Sequence, residues 1–346
     1  MKIAILGLAG KEFRGGVEKF NSNLIQAIES GGHEAELFSF LSIRQFATEK
    51  ILTRTSERTP YNGYWKARLL AKEFEKRKKE FDLVIANDFF GLYVNGIKQI
   101  MVLHGLFSDV FDCIRHKISP FYWLWGQELS RVQRSAMRHA NVVMTPCHRN
   151  FRYAKAHSLS VHHVIEHGVD LDFFRPTKSF KALDKYSLPD QFILSVGLRA
   201  VWKNAEMVSR IAQDFPTVVL SGNQMDARIS YLSDLDDSVM PALYSRAGLL
   251  FNPSFHEGFG YVAAEAMACG TPVVCSNTGF GPELKEKIPE LVVEDPNDYV
   301  AFKKKIALVL ENREEFGKKS RKFAEKNFGF KDWARKWLEL VESQKE

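Results

Sequence analysis

Phe251–Asn277 reads FNPSFHEGFGYVAAEAMACGTPVVCSN. An apolar strand end runs into a loop carrying Glu257, Gly258, Phe259 and Gly260. A helix of small residues follows, and a Gly-Thr-Pro turn leads into a second apolar strand. This is one unit of a parallel α/β sheet, in which ligands collect outside the carboxyl ends of strands. Two carboxylates, Glu257 and Glu265, are separated by seven residues. On one helix they would lie about 12 Å apart along the axis. A retaining glycosidase pair needs about 5–5.5 Å, and the usual inverting window is also exceeded. The spacing suits a grip on two parts of one elongated ligand. Gly258 and Gly260 let the backbone approach closely at a helix N-terminus, where free N–H groups favour a phosphate or an acidic hydroxyl.

The same alternation extends in both directions. Upstream of the loop lie FILSVG (192–197), a helix near 203–213, TVVLSG (217–222), ISYLSD, a helix near 238–247 and GLLFNPS (248–254). Downstream come PVVCSN (272–277), LVVED (291–295) and helices over 298–311 and 313–326. The first half repeats the theme. Lys2–Leu6 is a buried strand ending at Gly7, followed by the loop LAGKEFRGG. A helix then places Val17, Phe20, Leu24 and Ile28 on one face. AELFSF, FDLVIAND, KQIMVLHG, NVVMTP and HHVIEHGVD supply further strands. The polar segment DLDFFRPTKSFKALDKYSLPD reads as the connection between two domains. The expected organisation is α/β: residues 1–172 form one Rossmann-like domain and residues 173–328 a second. The two sheets face each other across a cleft. Residues 329–346, amphipathic through Trp333, Trp337 and Leu340, form a helix packing back on the first domain.

Composition restricts the classes available. The 346 residues are 45% apolar and 26% charged, an ordinary globular mixture. No apolar run reaches the ~18 residues that span a bilayer, and the N-terminus reads as a buried strand rather than a signal peptide. Cys113, Cys147, Cys269 and Cys275 show no paired spacing, so reduced thiols are expected and a metal site is not. The net charge is +6, and residues 41–80 alone hold eleven Lys/Arg against five acids. With Phe46, Tyr61, Tyr64 and Trp65 among those charges, the segment would attract an anionic membrane surface. A solvated helix is the plainer alternative. No recognition motif supports nucleic acid. The expected location is cytoplasmic, with peripheral attachment at the inner membrane face.

Strand ends concentrate the candidate chemistry. Gly15 and Gly16 stand where the first helix begins and could meet a phosphate, although the spacing is not GxGxxG. Asp88 and His104 end strands, and Gly105 follows the histidine. Gly197 ends a strand, with Arg199 and Lys203 just beyond, a pair suited to a diphosphate. Phe121, Tyr122, Trp123 and Trp125 could line an acceptor groove or touch a membrane; core is the preferred reading.

Glu257-Gly258-Phe259-Gly260, then Glu265-Ala266-Met267-Ala268, then Gly270, Pro272, Val273 and Val274 together resemble the family 4 retaining glycosyltransferases of the GT-B fold. The preceding Asn-Pro-Ser, the Gly15-Gly16 loop, His104, HGVDLDFFRP and the VG…KN segment fall in that family's order. The resemblance implies that Glu265 grips the ribose hydroxyls of a UDP- or GDP-linked sugar. Glu257 would sit at the sugar, with backbone N–H groups of Gly258, Phe259 and Gly260 around it. Arg199, Lys203 and Gly16 would meet the diphosphate, His104 the sugar near the reacting carbon, and Leu232 the base. The family retains anomeric configuration without an obligatory metal or a fixed protein nucleophile, the leaving diphosphate taking the acceptor's proton. No separate cofactor is implied. The acceptor would be a glycan or a lipid-linked molecule of cell-surface polysaccharide or glycoconjugate synthesis.

Two positions depart from the family. Leu198 stands where Arg is usual, and His167 where Asn is usual. Two rivals are a catalytically silent sugar-nucleotide binder and a Rossmann-type oxidoreductase. The first is disfavoured by the presence of Glu257, Glu265 and Lys203. The second is disfavoured by the missing fingerprint and the poor placement of Glu36.

Overall fold

The computed structural model describes residues 1–9, 15–42, 62–220, 224, 226–233 and 235–345. The chain divides into two compact units, Met1–His167 with Lys331–Glu346, and Gly168–Phe330. Each has its own parallel six-stranded sheet.

In the first unit, β1 (Lys2–Gly7), β2 (Glu34–Ser39), β3 (Leu83–Asn87), β4 (Lys98–Val102), β5 (Val142–Thr145) and β6 (His163–Val164) lie in the order β2-β1-β3-β4-β5-β6. Helices α1 (Gly16–Ser30), α2 (Asn62–Glu75), α3 (Phe107–Cys113), α4 (Pro120–His139) and α5 (His148–Ala156) connect them. Ile3–Leu6 and Leu83–Ile85 have no exposed surface. A strand covered on both faces needs such continuous apolar runs instead of alternation. β2 sits on one side of β1 and β3 on the other, so the strand order reverses at β1/β3.

In the second unit, β7 (Ile193–Val196), β8 (Thr217–Leu220), β9 (Ser230–Leu232), β10 (Leu249–Asn252), β11 (Val273–Ser276) and β12 (Val292–Val293) run β12-β11-β10-β7-β8-β9. Its helices are α6 (Ala205–Ile211), α7 (Met240–Arg246), α8 (Tyr261–Ala268), α9 (Gly281–Lys287), α10 (Tyr299–Glu311) and α11 (Arg313–Asn327). Read from β9, the order is that of a Rossmann sheet, with its switch point between β7 and β10. The final helix, α12 (Phe330–Glu342), turns Trp333 and Trp337 against Phe20 of α1, at ring separations of 6.0 and 5.7 Å.

Four expectations change. The polar segment 170–190 is not a connection, because it lies wholly in the second unit. Phe174 and Leu183 are buried there, and Arg321 donates to the carbonyls of Leu171 and Phe174. The unit boundaries fall after His167 and after Phe330. The sixth strand shrinks to His163–Val164. The aromatic run after Ser119 is not core: Phe121 is 72% exposed and Leu124 60%. A cluster of aromatic residues in sequence cannot tell a core face from an outward one. Residues 43–61 of the basic segment and residues 10–14 of the first loop lie outside the described residues; from Asn62 the basic segment is helical.

Candidate active site

The loops after β7 and β10 leave the second sheet at its switch point. Gly197 turns the chain with φ +77, a backbone state that side chains disfavour, while a Cβ there would meet no other atom. Leu198 then goes inward, 6% exposed, and Arg199 outward. The position where the family carries Arg is therefore an apolar anchor here, and the cation comes one residue later on the surface. A short 3₁₀ turn, Val201–Lys203, ends in Asn204, held left-handed at φ 55. Its buried amide donates to the carbonyls of Pro253 (3.1 Å) and Pro296 (2.8 Å). The N–H of Phe255 donates to the Trp202 carbonyl at 2.8 Å. These bonds tie the two loops together and fix the base of Lys203.

Lys203 Nζ donates to Glu257 Oε1 at 2.7 Å. The same oxygen accepts from Ser254 Oγ at 2.7 Å and Asn252 Nδ2 at 3.2 Å, and the Glu257 N–H donates to Thr278 Oγ1 at 2.8 Å. Burial pushes the Glu257 carboxyl towards its neutral form. The Lys203 charge and these hydrogen bonds outweigh burial and hold its pKa below the usual carboxylate range. The site is thus ionised and internally neutral. Lys203, expected at a diphosphate, spends its charge on Glu257 in this state.

Beyond Glu257 the chain turns at Gly260, φ +109, into α8, and only glycine takes that conformation without strain. Phe259 itself is buried against Tyr261, Phe280 and Phe328, so only its backbone can serve a ligand. Glu265, on α8, is 6% exposed and accepts from Tyr244 Oη at 3.0 Å. Burial, then the Glu265 charge, pushes the Tyr244 hydroxyl well above the usual phenol range, so it remains a donor. Leu232 is a buried residue ending β9.

The first unit's switch point is built differently. Asn87 ends β3, and its Nδ2 donates to the Leu6 carbonyl (3.0 Å) and to Asn21 Oδ1 (2.9 Å). A carbonyl can only accept, so the amide orientation is forced. Asn87 Oδ1 therefore faces His104 Nε2 at 2.6 Å, and Nε2 must carry the proton. Nδ1 is left as the unprotonated nitrogen. Burial pushes the His104 pKa down to about 3, so the ring is neutral. Its neighbours are Phe20, edge-on at 4.9 Å, and His167 at 5.9 Å. His167 is also held well below the ordinary histidine value, by burial and then by His104. Asp88, at φ 48, is pushed up to about 7 by burial, against hydrogen bonds from Gln133 and the His104 backbone. Gly15 and Gly16 open α1 on the surface, but Glu18 of the first turn reaches back over Gly15. An anion arriving there would have to displace that carboxylate.

Of the residues singled out by sequence, Lys203 and Glu257 meet directly. Arg199 joins no ion pair with another described residue. Asn204, Ser254, Asn252, Thr278, Tyr244 and Asn87 carried no role in the sequence reading. Asn-Pro-Ser and the VG…KN segment were visible as motif members, but the partners of their side chains were not.

Two family models match the chain: Glycosyltransferase Family 4 over residues 14–173 and Glycosyl transferases group 1 over residues 223–328. O-antigen chain mannosyltransferase B of Escherichia coli is 33% identical over 150 residues, covering 37% of this chain and 39% of that protein. D-inositol 3-phosphate glycosyltransferase of Mycobacterium avium (strain 104) is 31% identical over 154 residues, covering 36% of each. The chain thus spans less than two fifths of the length of these curated relatives. Among solved structures, sucrose-phosphate synthase from Thermosynechococcus elongatus superposes with TM-score 0.80 at 18% identity, covering 99% of this chain and 98% of that one. Anabaena Alr3699/HepE in complex with UDP-glucose gives 0.73 at 18% identity, covering 99% and 100%. These likenesses concern the fold.

Proposed function

The chain belongs to the family 4 glycosyltransferases of the GT-B fold, and from that premise we propose that it moves a sugar from a nucleoside-diphosphate donor to a glycan or lipid-linked acceptor with retention of configuration. The observation that carries this reading is the meeting of Lys203 and Glu257 at the switch point of the second sheet. A parallel sheet binds nucleotides at that place.

In this reading Glu265 accepts hydrogen bonds from the ribose hydroxyls while Tyr244 Oη holds its other oxygen. Glu257 accepts from the donor sugar, and Lys203 and the exposed Arg199 take the diphosphate. As the glycosyl–phosphate bond breaks, negative charge grows on the leaving oxygens, and preorganised cations stabilise it. Lys203 then shifts its charge from Glu257 towards the phosphate. Glu257, still held by Ser254 and Asn252, becomes the stronger acceptor for a sugar hydroxyl. In the first unit, His104 is neutral with Nδ1 unprotonated, so it accepts a hydrogen bond from a sugar hydroxyl and does not donate a proton. Gly15 and Gly16 offer backbone N–H groups to phosphate. No metal is required by these roles; the leaving diphosphate takes the acceptor's proton. The basic segment 41–80 would hold the chain near anionic lipid.

The test is a panel of UDP-, GDP- and ADP-sugars screened by thermal shift, followed by NMR of the product or hydrolysis anomer. Stabilisation by one nucleotide class and release of the retained anomer are expected. Loss of that stabilisation in Glu265→Ala would support the ribose assignment. A donor that binds equally well to Glu265→Ala, or an inverted product, would overturn the reading.

A further inference from the structure

The loop Arg115–Lys117 and the first turns of α4 form an outward surface that the sugar chemistry does not use. Phe111 of α3 lies against Gly126, where a Cβ would stand 2.2 Å from the ring. Tyr122 and Trp125 lean on the same ring at 5.7 and 5.9 Å. That packing turns one face of α4 inward, with Leu129, Ser130 and Gln133 buried further along. The opposite face begins with Phe121, 72% exposed, and Leu124, 60% exposed. One turn later it carries the exposed Arg131, paired at 3.3 Å with the largely covered Glu128. The outward face is therefore apolar only at its tip. Beside the tip, Arg115, His116 and Lys117 are all exposed, and Arg115 sits 4.9 Å from the centre of the Trp123 ring. The nearest exposed acid in sequence is Asp112.

Two large apolar side chains this exposed, flanked by aromatic rings and cations, match a membrane interface. There rings settle at headgroup level and cations attract anionic lipid. We propose that Phe121 and Leu124 insert shallowly into an anionic bilayer while Arg115 and Lys117 bind its headgroups. The charged residues beyond the tip limit the depth of insertion. The proposal supplies the acceptor side of the glycosyltransferase reading with a surface distinct from the basic 41–80 segment. It can be tested without turnover, so the two readings fail separately.

The experiment is flotation of the full chain with vesicles of phosphatidylcholine alone or mixed with phosphatidylglycerol, at low and physiological salt. The wild type is expected to bind the mixed vesicles and to bind less as salt rises. Phe121→Ser/Leu124→Ser should lower partitioning about tenfold or more on both lipid mixtures. Arg115→Glu/Lys117→Glu should lower it only on the anionic one. Both variants should keep wild-type thermal stability, since the altered side chains are largely exposed. Unchanged flotation of the Ser variant would overturn the proposal and assign any binding to 41–80. So would a wild type that floats with neither mixture. A concentration-dependent dimer, by analytical ultracentrifugation, that only the Ser variant dissolves would assign the patch to self-association and overturn it too.

Discussion

The two units place polar groups at the same point of similar sheets yet hold them in opposite electrical states. At β7/β10 the site is ionised: Glu257 keeps its charge because Lys203, Ser254 and Asn252 compensate for burial. At β1/β3 the site is neutral: His104 and His167 lose their protons to burial, and Asp88 is pushed towards keeping one. The parallel fold decides where the loops end. Whether a counter-charge is supplied decides what those loops can do. A compensated charge can be handed to a ligand phosphate, whereas a desolvated imidazole offers a lone pair.

The harshest way to break the contrast is Lys203→Ala. It leaves a carboxylate that is 9% exposed without its counter-ion. Breaking such a pair costs about 3 kcal/mol or more, and loss of the proposed diphosphate contact should lower turnover at least about a hundredfold. The pH dependence should also reverse. In the wild type the folded pKa is depressed, so the pair's stability is present above the ordinary carboxylate pKa and lost as pH falls through the folded value. Without Lys203, burial dominates, the folded pKa rises, and stability falls as pH rises. Urea unfolding followed through Trp202, in a variant keeping only that tryptophan, reads this. Glu257→Gln added to Lys203→Ala should recover stability but not turnover. If the double variant is as unstable as the single one, the uncompensated charge is not the cause.

Asn87→Asp tests the neutral site. A carboxylate facing Nε2 would favour the imidazolium and lift the His104 pKa from about 3 towards or past its ordinary value. Activity should then fall on the acid side of neutrality, where the wild type has no such limb. Asn87→Ala should lose activity by a similar factor at every pH. A merely structural role for Asn87 predicts the same flat loss from both variants.

Much of this was legible and some was not, for reasons that differ by residue. Parallel strands buried on both faces are continuous apolar runs, so β1, β3, β7 and β10 could be read directly. Glu257, Glu265 and Lys203 stood out together, through a motif spacing that resembles a known family; the cations alone would read as ordinary surface charges. Tyr244 could not be found, since nothing local links a mid-helix phenol to a carboxylate twenty-one residues on. The inward turn of Leu198 and outward turn of Arg199 depended on φ at Gly197. Phe121 was misplaced because a cluster of aromatic residues in sequence does not say what covers it.

The histidines sharpen the comparison through stability. Between about pH 4 and 6.5 an unfolded chain protonates His104 and His167 and ionises Asp88, whereas the folded first unit does the reverse. The histidines, depressed when folded, make stability rise with pH. Asp88, raised when folded, makes it fall. Two terms against one leave a net rise of stability with pH. His104→Gln should remove one term and flatten the curve relative to wild type. Five of the six tryptophans lie in the first unit, so indole fluorescence during urea unfolding reports it. A slope unchanged by the substitution would mean that His104 is not neutral in the folded state.

The gentlest probe returns to the charged site. Tyr244→Phe deletes one hydroxyl that donates to Glu265 at 3.0 Å and leaves the ring's packing intact. A hydrogen bond to a charged group contributes about 1.5–3 kcal/mol, but Glu265 has other interactions to rely on. Nucleotide affinity should fall about five- to tenfold. Because the lost bond orients the proposed ribose-binding carboxylate and not the reacting atoms, KM for the donor should rise with kcat nearly unchanged. Calorimetry with UDP and GDP, beside steady-state kinetics, separates the outcomes. Unaltered affinity would show that α8 alone positions Glu265. A loss confined to kcat would place Tyr244 nearer the chemistry than the nucleotide.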